Sequence, residues 1–532
     1  MPPLVTVAQM RALEQQANAR GWTYADMMEA AGRGLAEVVR DLYAAVTQRT
    51  ALGLVGKGNN GGDTLVALAH LAEWGWEVSA YLVRPREGDP LVERVRNAGG
   101  RILHAGQDDL DDAIAGHEVL LDGVLGTGVR LPLREDIARI LAQARDAAQR
   151  YDVRVVAVDA PSGVDCDTGQ AAEETIPADD TVTMAAIKVG LVLPPGLILA
   201  GDLHVVDIGL PEDLPAWREI TREVPDADRV REILPPRPAD AHKGTFGTAL
   251  VVAGSVNFTG AARLAGEAAY RIGAGLVTLG IPAPLHPALA GTFPEATWLL
   301  LPDDLGVIAD RAADVVLRNL DRVTAMLLGP GFGQEETTRD FLARLLRAEA
   351  EVHPRVGFIP AAEPRQTARP QLPPLVIDAD GLKLLTRIAH WPEHVPGPAV
   401  LTPHPGEMAV LTGLSTREIQ AQRLTIAERF AQMWGHVVVL KGAGTVIAAP
   451  DGRTAVIPVA TPALARAGTG DVLAGLIVGL RAQGVPAYEA ALAGAWIHAQ
   501  AGLIAAETVG HPAAVLAGDV LRAVPDVLMT LG

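Results

Sequence analysis

Residues 51–83 read ALGLVGKGNNGGDTLVALAHLAEWGWEVSAYLV, and this stretch decides the fold of the first half of the chain. An apolar run at 51–55 is followed by a glycine-rich turn, by a helical stretch from Thr64 to Trp74 and by a second apolar run at 77–83. Continuous apolar strands that alternate with helices are typical of a parallel sheet covered on both faces. The stretch therefore predicts a strand–turn–helix–strand unit of an α/β domain.

The same alternation extends outward through the first half of the chain. Residues 6–47 are predicted to be helical, because apolar residues such as Met10, Leu13 and Ala17 recur at helical spacing. The further predicted strands of this half are 101–104, 119–121, 153–158, 181–185 and 203–206. The prediction for this half is a Rossmann-like, doubly wound α/β/α domain.

Residues 211–240 are rich in proline and charge and interrupt the alternation, so we interpret them as a connector with a short helix inside. A second α/β series follows it. Its predicted strands are 249–253, 276–279, 298–301, 325–328, 375–377, 399–401, 437–440 and 445–447. Two long helices, at about 471–482 and 488–508, are predicted to close the chain. The proline-rich stretch 352–374 is predicted to be a surface insertion.

Composition narrows the class of protein. The 532 residues are too many for one ordinary core, and 49% hydrophobic with 20% charged residues is typical of globular domains. The net charge of −18 disfavours nucleic acid and anionic membranes as partners. A single cysteine, Cys166, allows neither an internal disulfide nor a cysteine-rich zinc site. The N-terminus does not resemble a signal peptide and no long apolar run is present, so the expected location is the cytoplasm.

A first candidate site is predicted where three strands of the first half end. The segment GKGNNGGD at 56–63 can present backbone N–H groups to an anion. Asp122 and Asp159 each follow an apolar strand, and such strand ends converge on one crevice in a doubly wound sheet. Each feature alone would equally fit a plain turn or a helix cap. Asn60, Asp122 and Ser162 also offer the oxygen ligands that a monovalent or hard cation prefers.

A second candidate site begins in ARAGTGDVLAGLIVGL, residues 465–480. Gly468 and Gly470 open directly into a helix, whose free N–H groups can stabilise a phosphoryl group in transfer. Asp471 can accept a proton from a hydroxyl nucleophile, or it can be a helix-start residue favoured by the dipole. The turn LKGAGTVI at 440–447 suits nucleotide phosphates or ribose. LLGPGFGQ at 327–334 and LTPHPGE at 401–407 add a glycine turn and a histidine contact candidate, respectively.

Several motifs in order make residues 1–212 resemble the NAD(P)H-hydrate epimerase domain: VAQMRALEQQA, GKGNNGGD, LLDGVLGTG, DAPSGVDCDTG and KVGLVLPPG. The resemblance implies an acid/base group, for which Asp159 is our candidate and Lys188 a weaker one. It implies a potassium ion held by Asn60, Asp122 and Ser162. The family usually has glycine where this chain has Thr64. The residues implied to bind the hydrated dinucleotide are Asn59, Asn60, Gly61, Gly62, Asp63, Gly126, Thr127, Gly128, Val129, Arg130, Leu131, Pro132 and Asp159.

Residues 240–532 resemble the ribokinase-like, ADP-dependent NAD(P)H-hydrate dehydratase through HKG, TPHPGE, KGAGT and GTGD. The resemblance implies phosphorylation of the ring hydroxyl from ADP with Mg²⁺, followed by loss of phosphate, with Asp471 as the catalytic base. The implied contacts to the hydrated dinucleotide are Ala261, Gly333, His404 and Asp471. The implied contacts to the adenine nucleotide are Lys441, Gly442, Ala443, Gly444, Thr445 and Gly470.

The combined prediction is a bifunctional repair enzyme with domains at 1–212 and 240–532 and a linker at 213–239. Its expected partners are small molecules, and a homo-oligomer is expected. One alternative is a ribokinase-like small-molecule kinase, because GTGD fits that class equally well. Another makes the first domain a binding scaffold without catalysis, against which the presence of Asp122, Asp159 and Ser162 argues.

Overall fold

The computed structural model describes residues 3–45, 47–346 and 371–532. The chain forms two compact units, one ending at Val224 and the other beginning at Pro225. This division falls inside the connector, whose short helix at Ala227–Ile233 belongs to the second unit. Of the predicted insertion at 352–374, residues 352–370 lie outside the described part of the chain.

The first unit is built mainly from alternating strands and helices. Its strands are β1 (Leu4–Val5), β2 (Thr50–Val55), β3 (Glu77–Leu82), β4 (Arg101–His104), β5 (Val119–Gly123), β6 (Arg154–Val158), β7 (Asp180–Met184), β8 (Ile187–Lys188), β9 (Asp202–Val206) and β10 (Arg222–Glu223). Its helices are α1 (Val7–Ala19), α2 (Tyr24–Leu42), α3 (Asn59–Glu73), α4 (Pro90–Asn97), α5 (Leu110–Ala115), α6 (Glu135–Tyr151) and α7 (Gly196–Leu199).

The main sheet of this unit has the order β4-β3-β2-β5-β6-β7-β9, and all of its strands are parallel. The side chains of β2 point alternately to the two faces of the sheet. Ala51 and Val55 belong to the hydrophobic core on one face, and Leu52 and Leu54 belong to the core on the other. The strand order reverses at the β2–β5 pair, where Val55 lies opposite Gly123. The predicted doubly wound class is confirmed, and the reversal marks the crevice where such sheets bind ligands.

Two predictions for this unit need correction. The single helix predicted for 6–47 is two helices, because Gly21 adopts a φ of +96° and Thr23 starts a new helix by capping Asp26. The helix predicted from Thr64 begins instead at Asn59, so the NNGGD residues form its first turns rather than a loop.

The second unit is larger. Its strands are β11 (Thr248–Val252), β12 (Leu276–Pro282), β13 (Thr297–Leu301), β14 (Asp303–Asp304), β15 (Val307–Ile308), β16 (Ala325–Leu328), β17 (Leu375–Ile377), β18 (Val400–Leu401), β19 (Val437–Leu440), β20 (Thr445–Ala448) and β21 (Thr454–Ile457). Its helices are α8 (Ala227–Ile233), α9 (Thr259–Arg271), α10 (His286–Ala290), α11 (Ala312–Leu317), α12 (Glu336–Leu346), α13 (Asp380–Leu385), α14 (Trp391–His394), α15 (Pro405–Thr412), α16 (Thr416–Ala421), α17 (Arg423–Trp434), α18 (Thr469–Ala482), α19 (Ala487–Val509) and α20 (Ala517–Thr530).

The sheet of the second unit runs β21-β20-β19-β18-β17-β16-β11-β12-β13. It is parallel from β19 to β13, and β20 and β21 are antiparallel. The prediction that two long helices close the chain was wrong, because α20 follows them and carries Pro525 inside it. No described helix is long and apolar enough to cross a membrane.

Helices α18 and α9 pack closely through small residues. A Cβ on Gly475 would lie 2.3 Å from the Ala265 carbonyl oxygen, and one on Gly479 would lie 2.8 Å from that of Ala269. Such distances exclude any side chain at these two positions unless the helices move apart. This packing fixes the start of α18, where the second candidate site lies.

Candidate active sites

The first candidate site is built on the turn between β2 and α3. A Cβ on Gly61 would lie 2.1 Å from the Gly56 carbonyl oxygen, so the first turn of α3 folds tightly back on the end of β2. The Arg86 guanidinium donates to that carbonyl at 2.7 Å and is itself paired with Asp89 at 2.6 Å. The turn therefore holds the N-terminus of α3, with its free N–H groups, at the sheet reversal.

Asn60, Asp122 and Ser162 are brought together beneath this turn. The Ser162 hydroxyl and backbone N–H donate to the Asp122 carboxylate at 2.5 and 2.8 Å. The Asn60 amide nitrogen donates to the carbonyls of Val158 at 2.5 Å and Leu125 at 3.3 Å. Asp122 is fully buried, and burial raises its pKa. Within the described residues it forms no salt bridge, so its ionised form has no compensating cation from the protein.

Asp159 and Lys188 form a buried ion pair at the end of β6. Lys188 Nζ donates to Asp159 Oδ1, to Thr183 Oγ1 at 3.0 Å and to the Met184 carbonyl at 2.9 Å. The same carboxylate oxygen accepts from Thr183 Oγ1 and from the Met184 N–H, both at 3.1 Å. Asp159 adopts a φ of +65°, a costly conformation that recurs at functional sites. The structure thus places both predicted acid/base candidates in contact.

Two further acids lie near this pair. Burial raises the pKa of Asp63 well above its ordinary value, and the charges of Asp159 and Glu14 add to the shift. Burial likewise raises the pKa of Glu14 on α1. Glu14 was missed from the sequence, where it is one charged residue beside the buried Leu13 of an amphipathic helix. Acids whose raised pKa favours the protonated form, placed beside the Asp159–Lys188 pair, can supply this site with a proton donor.

The loop that follows β5 borders Asn60. A Cβ on Gly126 would lie 2.1 Å from Asn60 Oδ1, so this position needs glycine. The Val129 N–H closes a turn on the Gly126 carbonyl at 3.2 Å, while Arg130 and Leu131 are exposed. The predicted loop 126–132 therefore touches the site at its glycine end and extends into solvent at its other end.

Thr64 departs from the glycine usual in the family, and the structure accounts for it. Its hydroxyl donates to the Asn60 carbonyl at 2.7 Å inside α3. A Cβ on Gly123 would lie 1.9 Å from Thr64 Oγ1. The threonine side chain thus fills the space that the glycine at the end of β5 leaves open.

The second candidate site lies at the start of α18. Gly468 has a φ of +92° and turns the chain into the helix, whose third residue is Asp471. Burial, with the nearby Asp378 carboxylate, raises the pKa of Asp471 to about 7. A carboxylate with a pKa near neutrality at a helix start is suited to accept a proton from a hydroxyl.

Asp378, at the end of β17, was missed from the sequence although it obeys the strand-end rule that identified Asp122 and Asp159. Its carboxylate is buried and accepts from Lys441 Nζ and from the Thr402 hydroxyl, both at 2.7 Å. Burial opposes charge on Lys441, but Asp378 and Glu407 outweigh it and raise the lysine pKa. Lys441 lies beside Gly470, where a Cβ would be 3.4 Å from its Nζ. The predicted nucleotide turn therefore meets the GTGD segment.

The remaining predicted contacts of the second unit lie around its strand ends. The Gly333 N–H donates to Asp380 at 3.0 Å, two residues beyond Asp378. A Cβ on Gly331 would lie 3.0 Å from that of Ala261. His404 caps α15: its Nδ1 accepts from the N–H groups of Gly406 and Glu407 at 3.0 and 3.2 Å. The imidazole is half-exposed, and partial burial lowers its pKa. Because Nδ1 accepts two hydrogen bonds, the ring proton lies on Nε2.

A cavity of about 190 Å³ opens between the 441–445 turn and α18. Arg423, buried on α17, holds the turn by donating to the carbonyls of Leu440 at 2.9 Å and Lys441 at 3.1 Å. The residues that line the cavity are Lys441, Gly442, Ala443, Thr445, Val459, Thr461, Leu464, Ala465, Thr469, Gly470, Leu473 and His498. Its lining thus combines polar and glycine residues with apolar side chains.

Comparison with known proteins identifies both units. Residues 249–526 match the family model described as NAD(P)H-hydrate dehydratase, and residues 24–190 match the model of the YjeF-related protein N-terminus. The bifunctional NAD(P)H-hydrate repair enzyme of Moorella thermoacetica is 38% identical over 99% of this chain and 97% of its own length. This chain belongs to the bifunctional NAD(P)H-hydrate repair enzyme family. The Escherichia coli member is 32% identical over 94% of this chain and 89% of its own.

Among solved structures, an ADP/ATP-dependent NAD(P)H-hydrate dehydratase of Bacillus subtilis, co-crystallised with ATP and Mg²⁺, matches 58% of this chain and 99% of its own. Its sequence identity is 32% and its TM-score 0.47. As a member of the repair enzyme family, the chain is an enzyme with an epimerase and a dehydratase domain that acts on small-molecule substrates. The predicted family, fold class and function are confirmed, and the small-molecule kinase alternative is not supported.

Proposed function

We propose that the first unit interconverts the R and S forms of hydrated NADH and NADPH at the crevice beside α3. The observation that carries the proposal is the buried Asp159–Lys188 pair, with the raised pKa of Asp63 next to it. Epimerisation requires the ring hydroxyl to leave and return, or the ring to open and close. Either route needs one group to give a proton and another to take it. Asp159 is the proposed acceptor, and the N-terminus of α3 is proposed to bind phosphate.

We propose that a potassium ion binds among Asn60, Asp122 and Ser162. The donor set fits, because the buried Asp122 carboxylate, which has no cationic partner among the described residues, the Ser162 hydroxyl and the Leu125 and Val158 carbonyls supply hard oxygen ligands. When bound, the cation would neutralise Asp122 and tie the turn after β5 to α3. The chain's own part is to orient these loops around the substrate.

Asp159→Asn tests the epimerase proposal in the full chain. We expect the rate of interconversion to fall by about 10²–10⁴-fold, because the amide cannot accept a proton. Dehydration of the S form should be unchanged and serves as the control for folding. Full epimerase activity in this variant would refute the role of Asp159.

We propose that the second unit dehydrates the S form with ADP as phosphoryl donor. The observation that carries this proposal is Asp471, with a pKa of about 7, at the start of α18 beside the Lys441 turn. Asp471 takes the proton of the ring hydroxyl, whose oxygen attacks the β-phosphorus of ADP, and AMP leaves. Loss of phosphate and of a proton from the adjacent carbon then restores the ring double bond. Phosphorylation thus converts a poor leaving group into a good one.

The adenine nucleotide is proposed to occupy the cavity beside the 441–445 turn. Mg²⁺, when bound with the nucleotide, would neutralise phosphate charge. Within the described residues there is no cluster of three His, Cys, Asp or Glu side chains that could hold a metal. An ion that arrives on phosphates needs only one or two carboxylates from the protein, and Asp378, beside Lys441, would be the candidate ligand. The protein's own part is to hold the phosphates against the Lys441 turn and the N–H groups of α18.

The direct test starts from a mixture of both epimers of hydrated NADH and follows the recovery of dihydronicotinamide absorbance with ADP, ATP or no nucleotide. Full recovery with ADP is expected if both units act. Recovery of the S share alone would mean that the first unit is inactive. Absence of recovery with either nucleotide would reject the dehydratase proposal. Asp471→Ala should abolish recovery while leaving epimerisation intact.

A further inference from the structure

His498 is the one residue of α19 that lines the nucleotide cavity, and neither the sequence motifs nor the proposed reaction assigns it a role. Its side chain is 8% exposed. Nε2 is buried and has no hydrogen-bond partner within the described part of the chain. A buried polar atom without a partner is costly, so such an atom in a binding cavity points to a contact with the ligand.

The state of the ring decides which kind of group it can bind. Burial lowers the pKa of His498 to about 4, and the other ring nitrogen, Nδ1, is hydrogen-bonded to the Thr469 backbone. The imidazole is therefore neutral at physiological pH, and its proton lies on Nδ1. Nε2 carries a lone pair and can only accept. The ligand must supply a donor.

The position of His498 along α19 indicates which residues surround it in the cavity. Four residues before it, a Cβ on Gly494 would touch Ile477, and four residues after it, one on Gly502 would touch Leu464. His498 thus lies between these two contacts, where the apolar side chains of Leu464 and Leu473 also line the cavity. Its bond to the Thr469 backbone places it near Gly470 as well, but an acceptor cannot bind phosphate oxygens. An apolar wall with a single acceptor suits a purine base.

We infer that His498 Nε2 accepts a hydrogen bond from the 6-amino group of the adenine ring and so selects adenine over 6-oxopurines. The inference rests on the proposed use of this cavity by ADP. A 6-oxopurine presents a carbonyl oxygen at that place. His498 Nε2 and the 6-oxo oxygen would then both be acceptors and could not hydrogen-bond to each other. Because a buried polar group left without a partner is costly, we expect the site to bind such a base weakly.

The test measures KM and Kd of ADP and of inosine diphosphate with the full-length chain and Mg²⁺. The unaltered protein should bind ADP at least about tenfold more tightly than inosine diphosphate. His498→Phe, which fills the space without an acceptor, should raise KM for ADP about tenfold and abolish the preference. The KM of the hydrated dinucleotide should not change. His498→Asn should bind both nucleotides, because an amide can turn either its oxygen or its nitrogen toward the base.

Failure of this inference differs from failure of the proposed function. If the unaltered protein binds no ADP, the nucleotide proposal itself falls. If ADP binds but His498→Phe and His498→Asn keep the preference for adenine, His498 does not determine which base is bound. A last experiment measures the binding of 2′-deoxy-ADP and 3′-deoxy-ADP. The inference is overturned if either binds more weakly than ADP, if this difference disappears in His498→Phe, and if the unaltered protein has no preference between adenine and hypoxanthine. His498 would then contact the ribose.

Discussion

Burial and the Asp378 carboxylate raise the pKa of Asp471 to about 7, and this shift has a measurable consequence. The proposed base acts only when ionised, and it is protonated below that pH. We therefore expect kcat/KM for dehydration to fall about tenfold per pH unit as the pH drops below 7. A pH–rate profile of the purified chain checks this. Asp471→Asn should show a low and flat profile, and a flat profile in the unaltered protein would contradict the assignment.

The Asp159–Lys188 pair predicts a stability effect at the same scale. Lys188→Met removes one partner of a buried pair and leaves a carboxylate uncompensated. Urea unfolding should show a loss of about 3–5 kcal/mol in the first unit. Adding Asp159→Asn in the same chain should recover part of this loss, because the buried charge is then gone. If the double variant is no more stable than the single one, charge is not the cause.

Residues that follow a local rule could be predicted, and those that depend on packing could not. Asp122, Asp159 and Asp471 were found because each follows a strand or starts a helix. Asp378 obeys the same rule, but the short strand before it carried no glycine motif to draw attention to it. His498 lies inside a helix rich in alanine and becomes a cavity residue only when α19 packs beside α18.

At the scale of elements, the contact between α9 and α18 predicts the effect of one methyl group. Gly475→Ala would place a Cβ 2.3 Å from the Ala265 carbonyl oxygen and push the helices apart. We expect a loss of about 1–3 kcal/mol in the stability of the second unit and a lower dehydration rate, with epimerisation unchanged.

Gly260 provides the matched control, since it lies on α9 and a Cβ there meets nothing within 4 Å. Gly260→Ala should be neutral or stabilise by about 0.4–1 kcal/mol, because alanine reduces the freedom of the unfolded chain. Thermal or urea unfolding of both variants checks the pair. Equal losses in the two variants would show that helix packing is not the cause.

Strands were easier to predict than helix ends. Continuous apolar runs located the main strands to within a few residues, because both faces of these sheets are buried. The break between the first two helices, after Ala19, was missed because apolar residues recur at helical spacing on both sides of Gly21. The final helix, α20, lies beyond the two helices predicted to close the chain. It carries Pro525, which is unfavourable inside a helix, and packing of its apolar face against the core stabilises it nonetheless.

At the scale of the whole molecule, the two sites belong to separate compact units, each with its own core. If the epimers exchange through solution, an equimolar mixture of Asp159→Asn and Asp471→Ala chains should recover NADH fully from both epimers. The first variant alone should recover the S share, and the second alone should recover none. The final dihydronicotinamide absorbance gives the fraction of NADH recovered by each variant alone and by the mixture. Recovery limited to the S share in the mixture would mean that substrate must pass within one chain.

The net charge of −18 does not by itself exclude an anionic substrate. Whole-chain charge describes the long-range field, whereas the proposed binding of phosphate depends on N–H groups a few ångströms away at the starts of α3 and α18. The acidic total therefore disfavours partners such as RNA without excluding dinucleotides. Domain bounds are harder to derive, since the connector itself contains ordered elements, among them α8.

Thr64 and Gly123 occupy one shared volume, and this bears on how such a chain can evolve. With threonine at 64, any side chain at 123 would meet its hydroxyl at 1.9 Å. Glycine at 64 would remove this clash and leave the Asn60 carbonyl oxygen, at 3.1 Å, as the neighbour of such a side chain. A lineage that acquired alanine at 123 would therefore have to lose the Thr64 hydroxyl first. Positions 64 and 123 are thus coupled, because the size of the side chain at one limits the size of the side chain at the other.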